Sequence, residues 1–193
     1  MKRHINFTCK TAFFKLRHMS TIQHYLSVDS TKILLVSLVL SRIDYCNSLL
    51  AGLPLSLISE LQGVQNCGVR LVVCASSSVR IIPILKQLHW LPVKTCISYK
   101  IACICFNAIN YSTPAYLSDL LHLYSPSRSL RSSADTCLLK LSFYKWKTKD
   151  DRAFSYFGPS VWNSLPIHII NATTIDPFKS ALKSNLFNLQ EFN

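Results

Sequence analysis

Few residues in this 193-residue chain have a type and spacing that could do chemistry. Acids are scarce, nine against 21 lysines and arginines, and only Asp150–Asp151, in WKTKDDRAF, are adjacent. Paired aspartates are the side chains that hold the two metal ions of a phosphoryl-transfer site. No hydrophobic strand pair flanks these two and no third acid is nearby in the sequence. A turn, or the acidic first turn of a helix, accounts for the pair. The eight cysteines are Cys9, Cys46, Cys67, Cys74, Cys96, Cys103, Cys105 and Cys137. They form no Cys-x-x-Cys pair and, with the histidines, no zinc-finger or zinc-knuckle spacing. Buried free thiols are the expectation, with no metal, no disulfide framework and no cofactor. No serine or cysteine has a plausible His/Asp partner in sequence, so nucleophilic catalysis is not indicated. Gly52, Gly63, Gly68 and Gly158 make no phosphate loop. His89–Trp90 is conspicuous, but packing of Trp90 beside Pro92 explains it better than a catalytic His89.

What remains is basic and aromatic. In FYKWKTK, an extended chain puts Lys145, Lys147 and Lys149 on one face and Tyr144 and Trp146 on the other. Lysines can then meet phosphate while a ring stacks on a base. An edge strand protected by its lysines is the competing explanation. The formal net charge is +12, an excess that favours polyanions, nucleic acid being the common partner. A solubility charge on an unusually apolar chain is the bland alternative. The bases concentrate in two places. One is Lys2, Arg3, Lys10, Lys15 and Arg17; the other is Arg128, Arg131, Lys140, Lys145, Lys147, Lys149 and Arg152. The candidate nucleic-acid-binding residues are Lys10, Lys15, Arg17, Arg128, Arg131, Lys145, Trp146, Lys147, Lys149 and Arg152.

These side chains need a scaffold, and the scaffold reads as mainly α. Leu88–Asn110 is its centre. Pro92 suits a first helical turn. Val93, Ile97, Ile101, Ile104 and Ala108 share one face, and Tyr99, Ala102, Cys103, Phe106 and Ile109 a second. Lys94 and Lys100 are its only formal charges, so the helix should be covered on nearly all sides. Before it, a short helix over about Cys9–Met19 carries Ala12, Phe13, Leu16 and Met19. Ser27 caps a long second helix running to Leu50, with Gly52 and Pro54 as stop signals. Ser56 caps a third, Leu57 to about Cys74, with Leu57, Leu61, Val64 and Leu71 as its buried stripe. Gly63 and Gly68 weaken that helix and could permit close helix contact. Pro83 opens a short helix ending near Leu88. Thr113 and Pro114 cap a helix carrying Leu117, Leu120 and Leu121.

After Tyr124 the polar, turn-rich SPSRSLRSSADT reads as a linker. Cys137–Phe143 reads as a strand. Phe157–Leu165 is a compact aromatic turn or short helix, and Thr174 or Asp176 caps a last helix with Phe178, Leu182 and Leu186. The resulting fold is a multi-helix orthogonal bundle around a buried central helix, with a small strand-containing C-terminal segment. Its domains are 1–123 helical, 124–136 linker and 137–193 α/β. The apolar run Ile33–Leu40 is too short to cross a bilayer and no signal peptide is evident, so an intracellular protein is expected, nuclear or cytoplasmic.

Three segments, read together, resemble one family. They are SRIDYCNSLLAGLP at Ser41–Pro54, LQGVQNCGVRLVV…ILKQLHWLPVKTCISYK from Leu61 to Lys100, and DRAFSYFGPSVWNSLP at Asp151–Pro166. They look like the C-terminal part of the reverse transcriptase of non-LTR (LINE-type) retrotransposons, the jockey-like group. TPAYLSDLL, PSRSLRSS and FKSALKSNLF match the same pattern, in the family's order over nearly the whole chain. The family's palm carries a Phe/Tyr-x-Asp-Asp box and a further aspartate, and this sequence has neither. Its Asp150–Asp151 falls in the late, post-polymerase segment of the pattern. The family's endonuclease and Cys/His knuckle are not in this sequence either.

The resemblance therefore implies a fragment that is not an enzyme on its own. It would be the thumb and post-polymerase region of an RNA-directed DNA polymerase, holding template–primer nucleic acid through its backbone and docking on the palm. The alternative is an inert structural remnant of a truncated or decayed element, whose apolar surface once met the palm. A cellular protein built from such a remnant is a weaker third.

Overall fold

The computed structural model describes residues 1–124, 137–141 and 153–189. Within them the chain is mainly helical. It divides into two compact units, Met1–Cys96 and Ile97–Asn193. The linker expected at 124–136 lies, from residue 125 onward, outside the described residues. Among the described residues no helix is long and apolar enough to cross a membrane.

The first unit opens with α1, Lys2–Ile22, twice the length that the apolar periodicity marks. It buries Ile5, Thr8, Cys9, Ala12, Leu16 and Met19, a regular i, i+3/i+4 stripe. Phe13, assigned to that stripe from sequence, is instead 45% exposed. It falls on the outer edge of the helix, because one residue of offset is about 100° of rotation. Ser27 caps α2, Val28–Leu35, its hydroxyl accepting from the Ser30 N–H at 3.1 Å.

The long second helix does not run unbroken to Leu50. After α2 it widens into a π-helical turn, Val36–Leu40, and tightens again in α3, Ser41–Asp44. Ser37 and Ser41 hydroxyls donate to the carbonyls of Leu34 and Ser37, the back-bonding that competes with the regular ladder. Cys46 then turns left-handed at φ 51°, and Asn47–Leu50 forms a 3-10 turn. Asn47 Nδ2 donates to Asp44 Oδ1 at 3.0 Å. The extended Tyr45 and left-handed Cys46 are what end the helix here. Gly52 does adopt the positive φ of a stop, 68°, but beyond the 3-10 turn.

The third helix, α4, spans Leu55–Val73 and begins at Pro54 rather than at Ser56. It packs against α1, α2 and α5, Ile81–Gln87. Its buried stripe is Ile58, Leu61, Val64, Gln65, Gly68, Val69 and Val72; Leu57 and Leu71 are half-buried. Gly68 is where α2 comes close, since a Cβ there would lie 2.6 Å from Leu35 Cδ1. Gly63 has open space around it, with nothing within 4 Å. Of the two glycines, only Gly68 marks a close helix contact.

The first unit also contains the start of α6, Val93–Tyr111. The helix begins directly after Pro92, whose carbonyl accepts the Cys96 N–H at 2.8 Å. Only Lys94, Asn110 and Tyr111 are exposed among its residues.

The second unit is organised on the rest of α6. Phe106 stacks on Phe178 at 4.4 Å, and Phe178 on Trp162 at 5.9 Å. All three rings are essentially buried, each removing a large apolar surface from water. They come from α6, from α8 (Phe154–Asn163) and from α10 (Ile175–Asn188). Between α6 and α8 lies the short α7, Ala115–Ser118, and between α8 and α10 the short α9, Ile167–Ile170. Thr174 stands at the start of α10 without a side-chain cap, and Asp176 lies in its first turn. Leu186 is half-buried; Phe187 is the buried residue at that end. Of the strand expected over 137–143, residues 142 and 143 lie outside the described residues. Leu139 pairs with Leu123 in a single antiparallel bridge.

Candidate nucleic-acid interface

Of the ten candidates, Arg128, Arg131, Lys145, Trp146, Lys147, Lys149 and Arg152 lie outside the described residues. So does Asp150–Asp151. The three that remain, Lys10, Lys15 and Arg17, are all on α1. Lys10 and Arg17 are exposed and seven residues apart, and Arg3 continues their line toward the N-terminus. No acid occurs in this helix, so nothing on it offsets the positive potential.

Lys15 stands apart from that line. Its Nζ donates to the Leu38 carbonyl at 3.2 Å, tying α1 to the π-helical turn. An ammonium has three donors, so this bond leaves capacity for an anion. Lys15 also edges a cleft of about 270 Å³ with His18, Met19, Thr21, Ile22, Leu34 and Leu38. A second cleft of about 540 Å³ lies between Gln23, His24, Arg70, Leu71, Cys74 and Ala75. Gln23 Nε2 spans its wall, donating to Leu71 O at 2.6 Å and to Cys74 Sγ at 3.0 Å.

Phe7 and Phe14 went unrecognised in the sequence. They are 67% and 63% exposed and fall on the Arg3–Lys10–Arg17 line. The signal was present: both rings are out of phase with the stripe at Ala12, Leu16 and Met19.

The most conspicuous polar residues of the family-like segments make structural bonds. Gln62 Oε1 accepts the Val93 N–H at 2.9 Å, satisfying an otherwise orphaned donor at the start of α6. Gln65, buried, donates to the Leu91 carbonyl at 3.0 Å. Gln62 Nε2 also donates to Gln65 Oε1 and Asn66 Oδ1. His89 sits at φ 56° just after α5, a left-handed position that histidine tolerates better than most residues. In the second unit, Asn163 both accepts from Leu139 N–H at 2.9 Å and donates to Leu139 C=O at 2.8 Å. Trp162 Nε1 donates to Cys137 C=O at 2.9 Å. These side chains serve residues 137–139 as a neighbouring strand would.

All eight cysteines are free thiols. Cys9 and Cys105 are buried and Cys96 and Cys103 half-buried, but Cys46, Cys67, Cys74 and Cys137 are exposed. The expectation of buried thiols fails for those four, which lie at turns or on outer faces. Burial pushes the Cys105 thiol up to about 12, with Cys103 adding to it. Burial also raises Cys103, against Lys179, a Tyr99 hydrogen bond and Lys100. Burial and then Glu60 raise Cys9. None of these three is primed as a thiolate nucleophile. Among the described residues no three His, Cys, Asp or Glu side chains gather as metal ligands.

No known family, no curated protein and no solved structure matches this chain. The site is therefore described by its chemistry: a basic helix face that carries no acid of its own, with no cluster of three metal-ligating side chains among the described residues.

Proposed function

We propose that this chain is a non-catalytic fragment, thumb and post-polymerase region, of a LINE-type RNA-directed DNA polymerase. It holds template–primer nucleic acid through its sugar–phosphate backbone and works inside the cell, against a polymerase palm. The observation that carries the binding reading is the outer face of α1, where Arg3, Lys10 and Arg17 are exposed on a helix with no acid. The family reading rests on the three sequence segments. From the apolar patterning of the sequence, the proposal also includes an orthogonal bundle around residues 88–110 and a strand in 137–143. Lys140 and the lysines and arginines of residues 125–152 are the second basic concentration in the sequence.

Titration of duplex DNA against salt tests the binding. With about four to six phosphate contacts, log K falls with log salt at a slope of about −4 to −5. Affinity is micromolar or weaker at physiological salt, without sequence preference. Replacing Lys145, Lys147 and Lys149 by Ala flattens the slope by up to about three units. A primer-extension assay with magnesium and dNTPs yields no product; product that disappears with Asp150→Ala would make Asp150–Asp151 a metal site and overturn the non-catalytic reading.

The second reading, an inert remnant, is favoured by the exposed apolar side chains of α2 and α4. Ile33 is 69%, Val28 53% and Leu55 66% exposed. Such side chains suit a face that once docked on another domain. Absence of any binding at low salt decides for this reading.

A further inference from the structure

Arg3, Phe7, Lys10, Phe14 and Arg17 follow one another at i, i+4, i+7, i+11 and i+14 of α1. That spacing puts them in one stripe. It lies on the side of the helix away from Ile5, Ala12, Leu16 and Met19, all buried. Single exposed apolar residues are ordinary on a protein surface. Two phenylalanines one heptad apart, both about two-thirds exposed and each flanked by cations, form a pattern. His18 extends the stripe, its ring meeting the Phe14 ring edge-on at 4.4 Å. The nearby carboxylate is Glu60 of α4, which adds to the raising of the Cys9 thiol and accepts from the Asn6 side-chain amide at 3.2 Å, at the edge of the stripe.

We propose that this stripe is a binding site for single-stranded nucleic acid, Phe7 and Phe14 stacking on unpaired bases while Arg3, Lys10 and Arg17 meet the phosphates. The inference rests on the reading of the chain as a nucleic-acid-binding fragment, and adds the form of nucleic acid and the side chains that select it. Cations alone suffice for a duplex, whose base faces are covered by their neighbours. Exposed rings between the cations are what unpaired bases use, since every base has a face to stack.

The spacing fits. Seven residues of helix rise about 10 Å, and stacked nucleotides rise about 3.4 Å each, so the two rings would bracket about three nucleotides. A lipid surface fits less well. An interfacial helix offers it a continuous apolar face with cations on the opposite side. Here the apolar face is packed inside the protein, and Lys10 stands between the two rings. A membrane would have to bury that ammonium to reach both phenylalanines.

The test measures anisotropy of a labelled oligothymidine and of a hairpin duplex of like length, at low salt, with the full chain. Alongside it run the paired variants F7A/F14A, F7L/F14L and F7W/F14W, and binding to vesicles of phosphatidylglycerol and phosphatidylcholine. Alanine weakens single-strand binding at least about fivefold per ring, leucine does nearly the same, and tryptophan retains or improves it. Duplex affinity changes less than about twofold, because the phosphate contacts survive. Helix content by circular dichroism stays at the wild-type value, since both rings are exposed.

Duplex binding with a normal salt slope, but single-strand binding indifferent to Phe7 and Phe14, overturns this inference and leaves the proposed function standing. So does leucine performing as well as phenylalanine, or vesicle binding that depends on the two rings; either result makes the stripe an apolar dock. No binding to either oligonucleotide removes the proposed function and this inference together.

Discussion

Gly63 and Gly68 sit five residues apart in α4, and the structure predicts opposite outcomes when each becomes alanine. In a helix interior, Gly→Ala stabilises by about 0.5–1 kcal/mol through backbone entropy alone. At Gly63 a Cβ meets nothing within 4 Å, so that gain should appear undiminished. At Gly68 it meets Leu35 Cδ1 at 2.6 Å, Cδ2 at 3.0 Å and Cγ at 3.3 Å. Leu35 is fully buried and cannot swing into solvent. Overpacking of this kind costs about 1–3 kcal/mol, which offsets the helix gain and leaves a net loss of up to about 2.5 kcal/mol.

The two variants should therefore differ by about 1–3 kcal/mol although their chemistry is identical. Urea unfolding followed by circular dichroism measures this. If the two units melt separately, only the transition containing α2 and α4 moves. Leu35→Ala supplies the control: alone it costs about 2–5 kcal/mol, but in its background Gly68→Ala should become neutral or stabilising. Equal effects at the two glycines, or no coupling between Gly68 and Leu35, would refute the close contact of α2 with α4.

Three further outcomes are expected. Asn163→Ala strands both polar groups of Leu139 and should cost about 1–3 kcal/mol, with faster exchange of the Leu139 amide by mass spectrometry; unchanged exchange would deny the clamp. Gln65→Leu removes the donor to the buried Leu91 carbonyl and should lower stability by a similar amount, read from the same urea transition. Alkylation at mildly alkaline pH should spare Cys105 while labelling Cys46, Cys67, Cys74 and Cys137. Because the Cys105 thiol is raised from 9.0 to about 12, its contribution to stability is whole below pH 9. It is lost at about 1.4 kcal/mol per unit as pH climbs from there toward 12. A Cys105→Ala protein should lack that part of the alkaline slope.

The helical class, and the places of α4, α5, α6 and α10, were legible in the sequence, because apolar periodicity and Pro, Ser and Thr punctuation are local properties of the chain. The basic excess was equally legible, since it depends only on which residues are present. Other features required the packed molecule. The π-turn at Val36–Leu40 goes with serine back-bonding and the early stop at Asp44 with a left-handed Cys46, neither of which periodicity registers. Gly63 and Gly68 look alike in sequence; the approach of Leu35 separates them.

The motif-bearing Gln62, Gln65, Trp162 and Asn163 read as family marks, and only the fold gave them partners, 26 to 31 residues away for the glutamines and 24 to 25 for the other two. For the candidate site, the sequence supplied Lys10, Lys15 and Arg17. Tertiary packing then divided them, by burying one side of α1. Lys15 turned toward Leu38, while Lys10 and Arg17 were left outward with Phe7 and Phe14, because a helix has one inward face and its neighbours choose which.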